Sequence, residues 1–296
     1  MKEAISIEKI ETYDLLYFTQ HNSSEDRTYF ARLEKGARRA KYIYVPRPKI
    51  GWVLSHIKFF SATLKWQFLL RYETLILASF DFHTINALAR RNLQAKVLSV
   101  DDGTANIFPG SVYYLRELPG RSGIYAKAFG GTNIASLKDR IARHYTVFPS
   151  LPNVIPAQKL RSLDVWQVQI KENTHRIKRY FVGQRFSEAY GNDYSRLVLQ
   201  YMARIPLDAY ILHPQETRPL IPRTPLLEKY GELAEDAILK DCGGVACELY
   251  GGFSTVMLTL TSKNLKRVVL LSRSQPMHES MAELSKESGC SVVWLD

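Results

Sequence analysis

Val97-Leu98-Ser99-Val100-Asp101-Asp102-Gly103-Thr104-Ala105-Asn106 is an apolar run that stops on two carboxylates and a glycine. The run has the character of a buried strand, and Asp and Gly are turn residues, so the stretch reads as a strand ending in a turn. A second stretch follows the same plan: Ala209-Tyr210-Ile211-Leu212 leads directly into His213-Pro214-Gln215-Glu216. In α/β folds, ligands sit at the carboxyl ends of strands. One such end carries paired carboxylates and the other a histidine, which points to two half-sites closing on one substrate.

Outward from these stretches the pattern alternates strand and helix. In the first half, Tyr13-Phe18, Lys41-Val45, Thr74-Phe80 and Ala95-Val100 read as strands. Helical stretches are expected at Ala4-Ile10, Ser24-Ala40, Gly51-Tyr72 and His83-Arg91, with Ser24 followed by Glu25 and Asp26 as a helix start. A second series runs strand Arg179-Val182, helix Ser187-Arg204, strand Ala209-Leu212, helix Pro225-Lys240 and strand Val245-Leu249. It closes with helix Thr255-Leu260, strand Lys266-Leu271, helix Met277-Glu287 and strand Ser291-Leu295. Such alternation gives parallel sheets covered by helices. Phe148-Leu163 holds Pro149, Pro152 and Pro156 without periodicity and reads as a linker. Two doubly wound α/β domains are therefore expected, 1–155 and 156–296, with a cleft between them.

The chain of 296 residues is long enough for two cores, and 46% hydrophobic with 23% charged residues is ordinary for a globular protein. No apolar run approaches bilayer length, and Met1-Lys2-Glu3-Ala4 leads into a charged amphipathic stretch rather than a signal peptide. Cys242, Cys247 and Cys290 lack metal-ligand spacing, and an odd count argues for reduced thiols. The net charge of +11 is unusual and would attract nucleic acid, anionic lipid or anionic sugar. Part of it clusters at Arg38, Arg39, Lys41, Arg47 and Lys49, then at Lys58, Lys65 and Arg71 among Trp52, Phe59, Phe60, Trp66 and Phe68. A core helix with a solvated basic face and a helix lying on a membrane surface both fit that pattern.

Asp101-Asp102-Gly103 is readable as an ordinary turn, or as a general base in which one carboxylate raises the proton affinity of its neighbour. The adjacent pair is not the separated Asp-X-Asp that holds a divalent metal. His213 is readable as a loop histidine or as a donor to phosphate, with Pro214 fixing the backbone after it. Gly251-Gly252-Phe253-Ser254-Thr255 is readable as a helix N-cap after a glycine turn or as an anion site. Gly183-Gln184, after the strand ending at Val182, is a further turn of this kind. No dinucleotide fingerprint, Walker loop, zinc pattern or nucleophile elbow is present.

Together these residues resemble the bacterial sialyltransferases of glycosyltransferase family 52, the lipooligosaccharide sialyltransferase group. Asp101-Asp102-Gly103, His213-Pro214 and Ser254-Thr255 look like that group's acidic pair with glycine, its His-Pro and its Ser-Ser/Thr motif, in order. Asp101 to Asn106 is similar to the family's Asp-Asp-Gly-Thr-Gly-Asn string, and His144-Tyr145-Thr146-Val147-Phe148 to its His-Tyr-Thr-Ile-Phe segment. Val182-Gly183-Gln184 resembles the loop opening its second domain. The likeness spans about residues 4 to 260. It implies a GT-B fold, with two Rossmann-like domains facing a central cleft, and an inverting, metal-independent transfer of sialic acid from CMP-sialic acid to a terminal galactose of lipooligosaccharide or capsule. No cofactor is expected.

The resemblance implies donor binding by Gly183, Gln184, His213, Pro214, Glu216, Ser254 and Thr255. It implies acceptor-side roles for Asp101, Gly103, Thr104 and Asn106, and chemistry from Asp102 or Asp101 with His213. Where one family member carries an aspartate proposed as the base, this chain has Phe186, with Ser187 and Glu188 beside it, so Glu188 is the alternative base. Family members begin with an apolar strand and a polar loop; here Met1 enters at the first helix, and the first strand of the first domain is expected to be missing. The expected partners are a CMP-sugar donor and a galactose-terminated glycan, with nucleic acid not expected. A cytoplasmic location is expected, with peripheral contact at the inner membrane face and homodimerisation left open. The alternatives are another CMP-nonulosonate or a hexose as donor, or a non-catalytic nucleotide- or nucleic-acid-binding protein, the latter distinguished by salt-dependent binding without preference for CMP.

Overall fold

The computed structural model describes residues 1–19, 22–44, 61, 63–64, 70–79, 83–116, 124, 134–166, 176–261 and 265–296. It forms two compact units: Met1–Asn22 with Tyr29–Leu163, and Ser23–Thr28 with Asp164–Asp296. The expected boundary at 155/156 therefore lies eight residues before the division at Leu163/Asp164.

In the first unit, helix α1 (Lys2–Ile7) precedes strand β1 (Tyr13–Thr19), which pairs in parallel with β2 (Ala37–Tyr44). Helix α2 (Ser24–Glu34) joins them in sequence, its residues to Thr28 counted with the second unit and those from Tyr29 with the first. Its start is closed reciprocally: Asp26 N donates to Ser23 Oγ at 3.1 Å and Ser23 N to Asp26 Oδ2 at 2.9 Å. The helix was expected to run to Ala40. Instead residues from Ala37 onward belong to β2: Ala37 and then Arg39 to Tyr44 each have a ladder partner in β1, with Arg38 passed over at a register shift, and that pairing outweighs the helix preference of Arg38-Arg39-Ala40-Lys41.

A separate four-stranded parallel sheet has the order β3 (Thr74–Leu77), β4 (Lys96–Val100), β5 (Ile141–Thr146), β6 (Leu160–Ser162). Helices α3 (His83–Arg91) and α4 (Ile134–Arg140) belong to it. Leu75, Leu77, Val97, Tyr113, Ile134, Leu137 and Ile141 form its buried core. The α4–β5 pair escaped the sequence pattern because helix passes into strand at Arg140/Ile141 with no glycine or proline between. The junction is held by Arg140, whose guanidinium donates to the carbonyls of Ala89 and Asn92 at 2.7 and 2.8 Å. The expected linker Phe148–Leu163 is instead packed structure: Ile155 is buried in the same core and Leu160–Ser162 is the edge strand.

The second unit is a five-stranded, wholly parallel sheet of order β11-β10-β9-β7-β8. Its strands are β7 (Ile177–Val182), β8 (Ala209–Ile211), β9 (Ala246–Gly251), β10 (Leu265–Leu271) and β11 (Ser291–Trp294). Counted from β7, that order is 2-1-3-4-5, a doubly wound sheet whose direction of growth reverses between β7 and β9. The helix expected at Ser187–Arg204 is broken into α5 (Phe186–Tyr190) and α6 (Asn192–Met202) by Gly191, at φ +88°. The helix expected from Pro225 begins only at Ala234, as α7 (Ala234–Cys242). Pro225 to Leu227 runs extended along β8, accepting from Tyr210 N at 2.7 Å and donating to Tyr210 O at 2.9 Å. Helices α8 (Thr255–Thr259) and α9 (His278–Glu287) follow as expected.

All three cysteines are free and buried. Among the described residues no helix is long and apolar enough to cross a membrane. Most of the expected aromatic and basic helix at Gly51–Tyr72 lies outside the described residues.

Phe181, fully buried in β7, packs against Phe186 and Tyr210 with ring centroids 5.8 and 5.3 Å away. Phe181→Ala is expected to cost about 3–5 kcal/mol of unfolding free energy, read by denaturant titration.

Candidate functional site

In the first unit, the acidic pair follows β4 and its two members face different surroundings. Asp101 turns inward, with 8% of its side chain exposed. Its Oδ2 accepts from Val147 N at 2.6 Å, and its Oδ1 lies 2.9 Å from His144 Nε2. His144 Nδ1 lies 2.8 Å from Ser99 Oγ, and Ser99 and His144 face each other in the β4–β5 register. A carboxylate can only accept, so the histidine proton belongs on Nε2 and the Ser99 hydroxyl donates to Nδ1. Both Ser99 and His144 are fully buried, so this Ser-His-Asp series is a strut across two strands.

Asp102 lies on the exposed side of the turn. Its Oδ2 accepts from the Tyr113 hydroxyl at 2.5 Å, and its backbone N donates to Asn106 Oδ1 at 2.9 Å. Gly103, Thr104 and Asn106 form the 3-10 turn that follows, with Gly103 at φ +56°. Asn106 is buried; its carbonyl accepts from Val154 N at 2.8 Å, and its Nδ2 has no hydrogen-bond partner.

In the second unit, Gly183, Gln184, His213, Pro214, Glu216, Ser254 and Thr255 all follow the carboxyl ends of β7, β8 and β9, three neighbouring strands at the order reversal. The loops interlock. Gln184 Nε2 donates to Phe253 O at 2.8 Å, tying the β7 loop to the β9 loop. Arg185 Nη1 donates to Gln215 Oε1 at 2.7 Å, tying it to the β8 loop. Two glycines permit this packing. A Cβ on Gly183 would lie 2.7 Å from the Tyr210 ring and nearer still to Glu216 Oε2. A Cβ on Gly252 would lie 3.0 Å from the Phe186 ring and nearer still to Gln184 Oε1.

Both oxygens of Glu216 have partners inside the loop: Tyr210 Oη donates to Oε1 at 2.8 Å and His213 N to Oε2 at 2.9 Å. Burial pushes this carboxyl above its ordinary range. Gln215 N donates to His213 Nδ1 at 3.1 Å, so the neutral ring carries its proton on Nε2 and presents a donor there. Ser254 stands at the N-cap of α8 with the extended backbone usual there, but its side chain makes no capping bond, and its buried Oγ has no hydrogen-bond partner. Glu188 falls in α5, and its side chain lies outside the described residues.

Sequence reading missed Tyr113, His144 as a partner of Asp101, and Tyr210 as a partner of Glu216. It also missed Glu235, which is 4% exposed in the first turn of α7 and accepts from Thr259 Oγ1 of α8 at 3.3 Å. A first-turn glutamate is normally a solvated helix-start residue, so pattern alone gives no sign of its burial. Among the described residues no cluster of three or more His, Cys, Asp or Glu is placed to hold a metal ion.

The family model for glycosyltransferase family 52 matches residues 17–275. An N-acetyllactosaminide alpha-2,3-sialyltransferase of Neisseria meningitidis serogroup A / serotype 4A is 25% identical over 268 residues, 84% of this chain and 65% of the relative. The enzyme of that name from Haemophilus influenzae is 30% identical over 123 residues, 41% of this chain and 39% of the relative. The chain thus spans less than two thirds of the length of either curated relative. The crystal structure of an alpha/beta-galactoside alpha-2,3-sialyltransferase from Photobacterium phosphoreum superposes with a TM-score of 0.52 at 12% identity, covering 95% of this chain and 98% of that one. At that identity the likeness speaks for the fold, the α/β GT-B class expected from the sequence.

Burial raises the Glu235 carboxyl from 4.5 to about 7. In that interval the unfolded chain has released a proton that the folded chain keeps, so stability falls as pH rises from about 4.5 to 7. Glu235→Gln is expected to flatten this slope in thermal melts taken across the interval.

Proposed function

The chain belongs to glycosyltransferase family 52, and from that membership we propose that it transfers sialic acid from CMP-sialic acid to the terminal galactose of a lipooligosaccharide or capsular glycan, with inversion and without a metal. The observation that carries the reading is the convergence of the β7, β8 and β9 loops where the sheet order reverses, the place where doubly wound sheets bind nucleotides. The unpaired, buried Ser254 Oγ in one of those loops supports it, as a hydroxyl suited to a ligand's acceptor atom.

In this reading the second unit holds the donor. Ser254, Thr255 and the Nε2–H of His213 meet the single phosphate of CMP, and Glu216 acts by fixing His213 rather than by touching the ligand. As the acceptor hydroxyl attacks the anomeric carbon, the bond from that carbon to the phosphate oxygen breaks. CMP leaves with both electrons, and the His213 N–H stabilises the growing charge. Because CMP carries one phosphate, a protein donor can do the work a divalent cation does for a diphosphate. The hydroxyl's proton goes to Asp102, on the exposed side of the turn, rather than to Asp101, which faces inward to His144 and Val147 N. A single displacement of this kind inverts the anomeric centre.

Calorimetric titration is expected to show binding of CMP in preference to UDP and ADP; preference for UDP, or no binding, would sink the donor assignment. His213→Ala is expected to weaken CMP binding and turnover together. Asp102→Asn is expected to lower turnover by about 10²–10⁴-fold with CMP affinity unchanged. If Glu188→Gln gives that result instead, Glu188 is the base. Turnover is expected to persist in excess EDTA.

A further inference from the structure

We propose that Tyr113 is a positioning residue for Asp102, a role that rests on the reading of Asp102 as the base. Tyr113 lies in the 3-10 turn Val112–Tyr114, and Ser111 fixes that turn by accepting from Tyr113 N at 3.3 Å and donating to Ala105 O at 2.5 Å. The Tyr113 side chain is 1% exposed, held in the core of the first unit with Leu75, Leu77 and Val97. Lys138 Nζ donates to its carbonyl at 2.7 Å. Its hydroxyl lies 2.5 Å from Asp102 Oδ2 and 3.1 Å from Ser79 Oγ. The phenol has one proton and the carboxylate only accepts, so the proton points to Asp102 while Ser79 braces the oxygen from the end of β3.

Asp102 sits on the exposed side of a turn, and two side-chain torsions set where its carboxylate points. A general base must sit within hydrogen-bond reach of the proton it takes. The buried phenol supplies a rigid anchor for one carboxylate oxygen, and a charge-assisted bond of this length is among the stronger kinds. Among the described residues, Asp101 and His144 engage each other, the Met1 amino group acts electrostatically on Asp101, and Lys138 donates to the Tyr113 carbonyl.

Tyr113→Phe keeps the buried ring and removes only the hydroxyl. With full-length protein, kcat is expected to fall on the order of tenfold, with donor KM and calorimetric CMP affinity unchanged. The acidic limb of kcat/KM against pH is expected to move to higher pH, because the carboxylate has lost a donor to its charged form. In an Asp102→Asn background the same substitution is expected to add no further loss. Wild-type kcat and pH profile in Tyr113→Phe, with Asp102→Asn impaired, overturns the positioning role alone. An equal loss in both backgrounds also overturns it, since the hydroxyl would then act through the fold. Wild-type turnover in Asp102→Asn overturns the base assignment and this role with it.

Discussion

The parallel pairing of β7 with β9 decides where everything else in the second unit must go. These strands are distant in sequence, and their register from Ile177↔Ala246 to Val182↔Gly251 sets both carboxyl ends at the same level. Sheet growth turns in opposite directions on either side of the pair, so the helices that follow leave in opposite directions and open a crevice above the strand ends. The loops that cross this crevice must approach one another closely. Gly183 and Gly252 are the positions where a side chain would collide, and Gln184 spans the gap with a hydrogen bond to Phe253 O. Strand order, loop composition and the cluster of polar groups are thus one constraint seen at three scales.

In the first unit the same logic divides two adjacent aspartates. Chain direction at the end of β4 sends Asp101 toward β5 and Asp102 toward the surface. Asp101 then has a buried histidine and a backbone amide as partners, while Asp102 has a phenol rooted in the core. Their chemistry is identical and their surroundings are not.

Much of this was legible in the sequence. Strands β1, β4, β7, β8, β9, β10 and β11 lie close to where the sequence pattern puts them, and the residues after β4, β7, β8 and β9 are the ones picked out as chemical. What was not legible has particular causes. β2 carries Arg38, Arg39 and Lys41 and becomes a strand only because β1 lies beside it. β5 begins one residue after a helix, with exposed Ala142 and Arg143 interrupting its apolar pattern. Pro225 to Leu227 has a helical composition, yet it is spent on hydrogen bonds to Tyr210. Tyr113 and Tyr210 support the site through contacts that no spacing rule encodes, since each is an aromatic residue doing a core residue's packing while its hydroxyl serves a neighbour's carboxylate.

The Ser99–His144–Asp101 strut has a consequence for how this loop can change over evolutionary time. Its hydrogen bonds exist only while Ser99 stands opposite His144, and the bulge at Val97/Leu98 is where the two strands come into that alignment. Inserting one residue in β5 between the bulge and His144 would turn the histidine to the opposite face of the sheet and strip the inward carboxylate of its partner, and one inserted in β4 ahead of Ser99 would turn the serine away. Beyond Gly103 the loop is not bound by that rule. Its sequence can drift only where it leaves Asn106 and Tyr113 their hydrogen bonds to Asp102.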